Sequence, residues 1–262
     1  MYNFEFTKPS TIDEAVAALK GDEAQALGGG QTLIPTMKQR LASPATLVSL
    51  TGIPEMQGVC RDGGTLSIGG ATPHAVVARE AAAHFPGLAA LARGIGDPAV
   101  RNRGTLGGSL ANNDPSACYP SAVLGTGATV KTNLRSIAAD DYFQGMFSTA
   151  LDEGEIIISV DFPIPEKSAY AKFLQPASRF ALTGAFVAKF ADGVRVAITG
   201  ASEDGVFRWT EAEEALSSEF SADAVRGLSV SAHGMIGDIH GTPEYRAHLV
   251  GVMTRRAVEA AA

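Results

Sequence analysis

Two short stretches concentrate residue types that can hold an anion without carrying charge. They are Gly28-Gly29-Gly30-Gln31-Thr32-Leu33-Ile34-Pro35 and Gly104-Thr105-Leu106-Gly107-Gly108-Ser109-Leu110-Ala111-Asn112-Asn113-Asp114-Pro115. Glycine lacks a Cβ, so consecutive glycines let several backbone N–H groups converge on one concavity. Gln31 and Thr32 in the first stretch, and Thr105, Ser109, Asn112 and Asn113 in the second, add hydroxyl and amide groups beside the glycines. That combination suits a pyrophosphate, with a plain tight turn as the competing explanation for either loop alone. GGGQTLIPTMK lacks the Lys-Ser/Thr of a nucleotide-triphosphate loop, and neither stretch reads GxGxxG, which disfavours a P-loop enzyme and a Rossmann site.

The remaining chemistry-bearing residues are less persuasive. Lys38, Arg40, Arg101 and Arg103 lie near the loops in sequence, where a cation offsets pyrophosphate charge, although surface lysines and arginines are usually just solvated. His74 follows Thr72-Pro73 at a helix start with no nucleophile elbow nearby, so a capping or surface role is expected. The carboxylate pairs Asp140-Asp141 and Asp152-Glu153 are explained by capping and loop solvation rather than glycosidase chemistry. Cys60 and Cys118 are far apart, with no CxxC or HExxH, which argues against a protein-held metal and for free thiols in a reducing compartment. Nothing next to Cys118 in sequence depresses its pKa, and it reads as a packing residue. No catalytic residue and no metal ligand is expected on this chain.

The elements that must position the two loops follow from periodicity. Thr11 and Glu14 form a capping-box pattern ahead of Ile12, Ala15, Val16 and Leu19, which recur at helical spacing. A strand at Ala24–Leu27 runs into the first glycines, and ATLVSL is a second strand, so the first ~55 residues read as a β-α-β unit. Arg61-Asp62-Gly63-Gly64 turns between two strands, Thr72-Pro73 opens a helix through Ala83, and a helix at Pro86–Ile95 precedes the second loop. ATVKTN and EIIISVDFP are strands, and Pro163 and Pro165 mark a boundary. Beyond it, Ala191-Asp192-Gly193 joins the strands AFVAKF and VRVAITG, Thr210 caps an acidic helix, and Pro243 to about Ala260 closes the chain as a helix. The class is α+β.

With 262 residues, 45% hydrophobic, the chain can bury a sizeable core in one large domain or two or three modest ones. Its net charge of −7 argues against nucleic acid or an anionic membrane as a partner. No apolar run approaches the length of a membrane span and the N-terminus lacks a leader pattern, so a cytoplasmic protein is expected.

LGGGQTLIPTMKQRLASPATLVSL, IGGATPHAVVARE, GDPAVRNRGTLGGSLANNDP and GEIIISVDFPIP, in that order, resemble the FAD-binding medium subunit of molybdenum hydroxylases, the xanthine dehydrogenase and aerobic carbon monoxide dehydrogenase type. The resemblance extends through AYAKFLQPASRFALTGAFVAKF and YRAHLVGVMTRRAVEAA. It implies a two-subdomain FAD-binding fold of the vanillyl-alcohol-oxidase (PCMH) type, residues 1–55 and 56–165, followed by a C-terminal α+β domain, 166–262. It assigns Gly28, Gly29, Gly30, Gln31 and Thr32 to the FAD pyrophosphate, with Leu33 and Ile34 alongside. Thr105, Leu106, Gly107, Gly108 and Ser109 close over the cofactor from the second subdomain, with Gly107 and Gly108 spared side chains because the cofactor fills that space. Asn112 and Asp114 are polar contacts, and Lys172 and Ile156 or Ile157 lie beside the flavin. Two departures are expected to cost contacts: Cys118 stands where relatives often carry Asp, and Arg179 where they often carry an acid.

The function so implied is that of an oxidoreductase subunit. Non-covalent FAD takes electrons from iron-sulfur clusters on a partner and passes them to an external acceptor, the protein's work being to position and tune the cofactor. The molybdenum cofactor and the [2Fe-2S] clusters are then expected on a large and a small partner subunit. A self-sufficient FAD-dependent oxidoreductase acting on a small molecule and a non-enzymatic binder of a phosphorylated ligand are the alternatives.

Overall fold

The computed structural model describes residues 1–261, which form three successive larger sheets and one separate two-stranded sheet. The first contains β1 (Glu5–Thr7), β2 (Ala24–Leu27) and β3 (Thr46–Ser49), all parallel in the order β1-β3-β2, with helices α1 (Ile12–Leu19) and α2 (Leu33–Lys38) in the connections. The triple glycine stands between β2 and α2. Thr11 caps α1 as expected, its hydroxyl accepting from the Glu14 N–H at 3.2 Å. The Glu14 carboxylate, however, accepts from the Ser10 N–H at 2.7 Å rather than closing the box on Thr11.

The second sheet is antiparallel and five-stranded. β4 (Val59–Asp62) and β5 (Thr65–Gly69) form a hairpin, followed by α3 (His74–Glu80), α4 (Pro86–Arg93), α5 (Pro98–Arg101), α6 (Leu106–Asn112) and α7 (Tyr119–Thr126). Then come β6 (Thr129–Thr132), β7 (Ser136–Ala138), α8 (Ala139–Tyr142), the small hairpin β8 (Phe143–Gly145) and β9 (Ser148–Thr149), and β10 (Ile157–Pro163), giving the order β4-β5-β10-β6-β7. Thr72 does not cap α3. Its hydroxyl instead bonds both backbone groups of Gly58, at 2.9 and 3.2 Å, pinning the chain before β4 to the start of the helix.

The third sheet is a meander of β11 (Lys167–Leu174), β12 (Ala181–Phe190), β13 (Gly193–Ser202) and β14 (Gly205–Arg208), covered by α9 (Thr210–Ser218) and α10 (Pro243–Ala261). Ala191 and Asp192 turn the β12–β13 hairpin within the expected Ala191-Asp192-Gly193 stretch, Gly193 opening β13 opposite Phe190. Thr210 proves to be the first residue of α9 rather than its cap. Glu213 turns inward, accepting the Val196 N–H at 2.9 Å and the Arg208 guanidinium.

The sheets share their cores. Phe186 from β12 packs its ring edge-on to Phe85, 6.1 Å between centroids, within the same buried cluster as Leu88, Ala122 and Phe162 of the second sheet and its helices. Ala71 and Ile156 of the second region lie in one cluster with Ala15, Val48 and Ile53 of the first. The cleft described next runs along these junctions.

Candidate functional site

At the end of β2 the chain leaves the sheet through Gly28, Gly29 and Gly30, the last with φ of +70°, and enters α2 at Leu33. Among the described residues, none of the six consecutive backbone N–H groups from Gly28 to Leu33 donates to a carbonyl or side chain of the chain. A run of unspent donors held by glycine is the arrangement that binds a diphosphate. The side chains add little here: Gln31 folds back toward the Gly29 carbonyl at 3.4 Å, and Thr32 offers its carbonyl to Thr36.

The second loop is built differently. Its stretch lies antiparallel to residues 70–74, bridging Pro73 to Thr105. The Leu106 N–H donates to the Thr72 carbonyl at 3.1 Å, Gly107 to the Gly70 carbonyl at 2.8 Å, and Gly108 to the Thr105 hydroxyl at 3.2 Å. The N–H groups of Leu106, Gly107, Gly108 and Ser109 are thus consumed by the fold, and this stretch forms a wall of the cleft. A Cβ on Gly107 would sit 2.7 Å from the Gly70 carbonyl oxygen, so protein backbone, not cofactor, requires that glycine. On Gly108 it would meet only the Thr105 hydroxyl, at 2.9 Å.

The two loops nevertheless face each other. A Cβ on Gly29 would collide with the Arg103 carbonyl, and one on Gly28 would come within 2.7 Å of the Thr105 hydroxyl. Between and beyond them opens a cleft of about 630 Å³, within the ~300–1,000 Å³ range of small-molecule and cofactor sites. Its wall includes Gly28, Gly29, Gly30, Gln31, Thr32 and Leu33 from the first loop and Thr105, Gly107, Gly108, Ser109, Asn112 and Asp114 from the second. Ile156, Ile157 and Lys172 line it from the later strands. Two expected residues do not: Leu106 is fully buried in the core, and Ile34 packs beneath the loop, its Cγ1 2.9 Å from where a Gly30 Cβ would be. Helical spacing explains both, because each follows its loop into a turn that points the side chain inward.

His74, expected in a capping or surface role, is buried and lines the cleft. Its backbone N–H donates to Gly104 and its ring lies 5.3 Å from that of Tyr119. Burial, assisted by the Arg101 guanidinium, lowers its pKa from 6.5 to about 4, and its Nδ1 is buried with no partner among the described residues. The ring is therefore a neutral imidazole at physiological pH. The two glycines ending the strand in IGGATPH mark a close backbone approach, but to Ile157 and Met56 rather than to the His74 ring. A Cβ on Gly70 would strike the Ile157 carbonyl.

Charge in the cleft is unevenly matched. Burial would raise the Glu155 carboxyl, but the Arg135 guanidinium, the Asp152 N–H and the Thr132 hydroxyl outweigh it and hold its pKa at about 2. Burial pushes the Asp114 carboxyl up, against a bond from the Ser116 N–H at 2.8 Å. Lys172 donates to the Gly94 and Arg179 carbonyls, each at 2.8 Å, and approaches Cys118 Sγ at 3.5 Å. Of the four cations near the loops, Arg101 is tied to the Ile95 and Gly96 carbonyls, Arg40 lies over the Tyr2 ring, and Lys38 and Arg103 are exposed off the cleft wall. Among the described residues there is no cluster of three metal-ligating side chains. No helix there is long and apolar enough to cross a membrane.

Comparison with known proteins agrees with this construction. The family described as "FAD binding domain in molybdopterin dehydrogenase" matches residues 2–165. The nicotine 6-hydroxylase medium subunit of Paenarthrobacter nicotinovorans is 35% identical, over 97% of this chain and 95% of the relative. The carbon monoxide dehydrogenase medium chain of Hydrogenophaga pseudoflava is 31% identical, over 98% of this chain and 96% of the relative. Among solved structures, reconstituted CO dehydrogenase from Oligotropha carboxidovorans superposes with a TM-score of 0.89 at 30% identity, covering 99% of this chain and 98% of that one. Quinoline 2-oxidoreductase from Pseudomonas putida 86 gives 0.88 at 28% identity, covering 99% and 97%. These relatives favour the subunit reading over a self-sufficient enzyme or a non-enzymatic binder. With its α+β fold and its glycine-built cleft, the chain belongs to the FAD-binding medium subunits of the molybdenum hydroxylase family and is an oxidoreductase subunit.

Proposed function

We propose that the chain holds FAD non-covalently in this cleft and relays electrons from iron-sulfur clusters on a small partner subunit to an external acceptor. The molybdenum cofactor then resides on a large partner subunit, and the complex is cytoplasmic. The observation that carries the binding assignment is the run of six unspent N–H donors from Gly28 to Leu33 at one side of the cleft. They match the diphosphate that joins the two halves of FAD, and the cleft has the volume and the apolar wall for a dinucleotide. When bound, FAD supplies the one- and two-electron chemistry that links single-electron clusters to a two-electron acceptor.

The chain's own residues bind and orient. Gly28 to Leu33 donate to the diphosphate. Thr105, Gly107, Gly108 and Ser109 form the facing wall, Asn112 and Asp114 supply polar edges, and Ile156 and Ile157 present apolar surface that excludes water. Lys172 adds positive charge. The sheet boundaries support reading residues 1–55 and 56–165 as the two FAD-binding subdomains and 166–262 as the third unit, with residue 262 lying outside the described residues.

Titration of the purified chain with FAD, followed by flavin absorbance and fluorescence, tests the assignment. FAD is expected to bind much more tightly than FMN, which has one phosphate and cannot engage a diphosphate loop. Equal affinity for the two, or no binding, refutes it. Co-expression with candidate large and small subunits, followed by analysis of the purified complex, tests the relay. Stable turnover of an organic donor by the lone chain would overturn it.

A further inference from the structure

Lys172 is unusual in where its charge goes. Its ammonium has three donors, and its three neighbours are the Gly94 carbonyl, the Arg179 carbonyl and Cys118 Sγ. None is a carboxylate. Among the described residues neither Lys172 nor Arg101 forms an ion pair, and Arg101 is held by the next two carbonyls along, Ile95 and Gly96, at 2.9 and 2.8 Å. The Gly94-Ile95-Gly96 turn thus offers backbone carbonyls to two cations and no carboxylate. Of the carboxylates on the cleft wall, Glu155 is already matched by Arg135, and Asp114 is the other. A cation without a counter-charge, in a site partly shielded from solvent, acts over several ångströms.

We infer that Lys172 sets the redox poise of the flavin bound in this cleft, and that Cys118, by placing a sulfur rather than a carboxylate beside it, leaves that charge uncompensated. The inference rests on the FAD reading above. Two-electron reduction of the isoalloxazine at neutral pH takes up two electrons and one proton, leaving the ring one negative charge richer. The reductant is a one-electron iron-sulfur donor in the complex, or dithionite in the test. With its donors already committed to the protein, Lys172 favours the reduced ring through its field and not through a hydrogen bond. It is a positioning and tuning residue, not a catalytic one.

The test is spectroelectrochemical titration of the FAD-loaded full chain. Lys172→Met is expected to weaken binding of reduced relative to oxidised FAD by roughly tenfold, which lowers the two-electron midpoint potential by about 30 mV. Lys172→Arg keeps the charge and is expected to stay at the wild-type potential. If Lys172→Met does not fold, Cys118→Asp, which keeps the lysine and supplies the missing carboxylate, is expected to lower the potential in the same direction, while Cys118→Ser leaves it unchanged. Wild-type potential in both Lys172→Met and Cys118→Asp, with flavin bound, overturns this inference alone. Failure of the wild-type chain to bind FAD overturns the underlying reading and this inference with it.

Discussion

Burial of His74 makes a quantitative claim about acid stability. Its pKa falls from 6.5 to about 4 on folding because the ring is taken out of water beside Arg101. The unfolded chain therefore binds a proton at this residue throughout the interval between those values, while the folded chain does not. Stability from the neutral ring is fully present above pH 6.5, declines as pH falls through the interval, and is spent below about pH 4. At about 1.4 kcal/mol per pH unit, the whole interval is worth about 3 kcal/mol, of which roughly 2 kcal/mol is lost by pH 5. For a chain of this length that is a fall in melting temperature of roughly 4–8 °C. Urea and thermal unfolding of the FAD-free chain at pH 7.5 and pH 5, compared with His74→Gln, isolates the effect, since carboxylates titrate alike in both. The variant is expected to be less stable at pH 7.5 but flatter with pH. An identical pH dependence in the two proteins would refute the burial argument.

Other perturbations separate fold from ligand. Gly29→Ala drives a methyl into the Arg103 backbone, and is expected to cost about 1–3 kcal/mol in chemical denaturation and to abolish FAD binding; an unchanged unfolding midpoint would contradict the loop contact. Gly108→Ala displaces only the Thr105 cap, costing about 1 kcal/mol with flavin content retained, and complete flavin loss there would count against the wall role. Arg135→Ala leaves the fully buried Glu155 side chain without its guanidinium. The variant is expected to unfold at a lower urea concentration than wild type, with a smaller shift than for a wholly buried pair because Arg135 is half exposed. The Glu155 contribution is present above pH 4.5 and lost as pH falls toward about 2, so wild type and variant should converge in acid.

What was legible in the sequence was local. The glycine run after β2, the Ala191-Asp192-Gly193 hairpin and the closing helix are set by turn chemistry and periodicity within a few residues. The family resemblance brought residues 28–34 and 105–109 to one cleft, and the chain lines a cleft with all of these except Ile34 and Leu106. What escaped is non-local. The Leu106 and Gly107 donors of the second loop are spent on Thr72 and Gly70, more than thirty positions earlier, so Gly107 answers to Gly70 rather than to a ligand. His74 read as a capping or surface residue because neither Gly104 nor Tyr119 is near it in sequence. Cys118 does pack in the core as read, but its contact with Lys172 was hidden because the lysine reaches it from another sheet. Pairings of this kind leave no trace in spacing.

The packing of Phe186 against Phe85 bears on the order in which the molecule can be made. Helices α4 and α7 face an apolar layer that β12 and β13 complete, and Lys172, Ser178 and Phe180 close one side of the cleft. A nascent chain emerging from the ribosome through residue 165 would carry an open hydrophobic face and an unfinished cleft. Capture of the cofactor is therefore a late event in biogenesis, waiting on the C-terminal meander, and a truncation at the matched family boundary would yield an aggregation-prone fragment rather than a small flavoprotein.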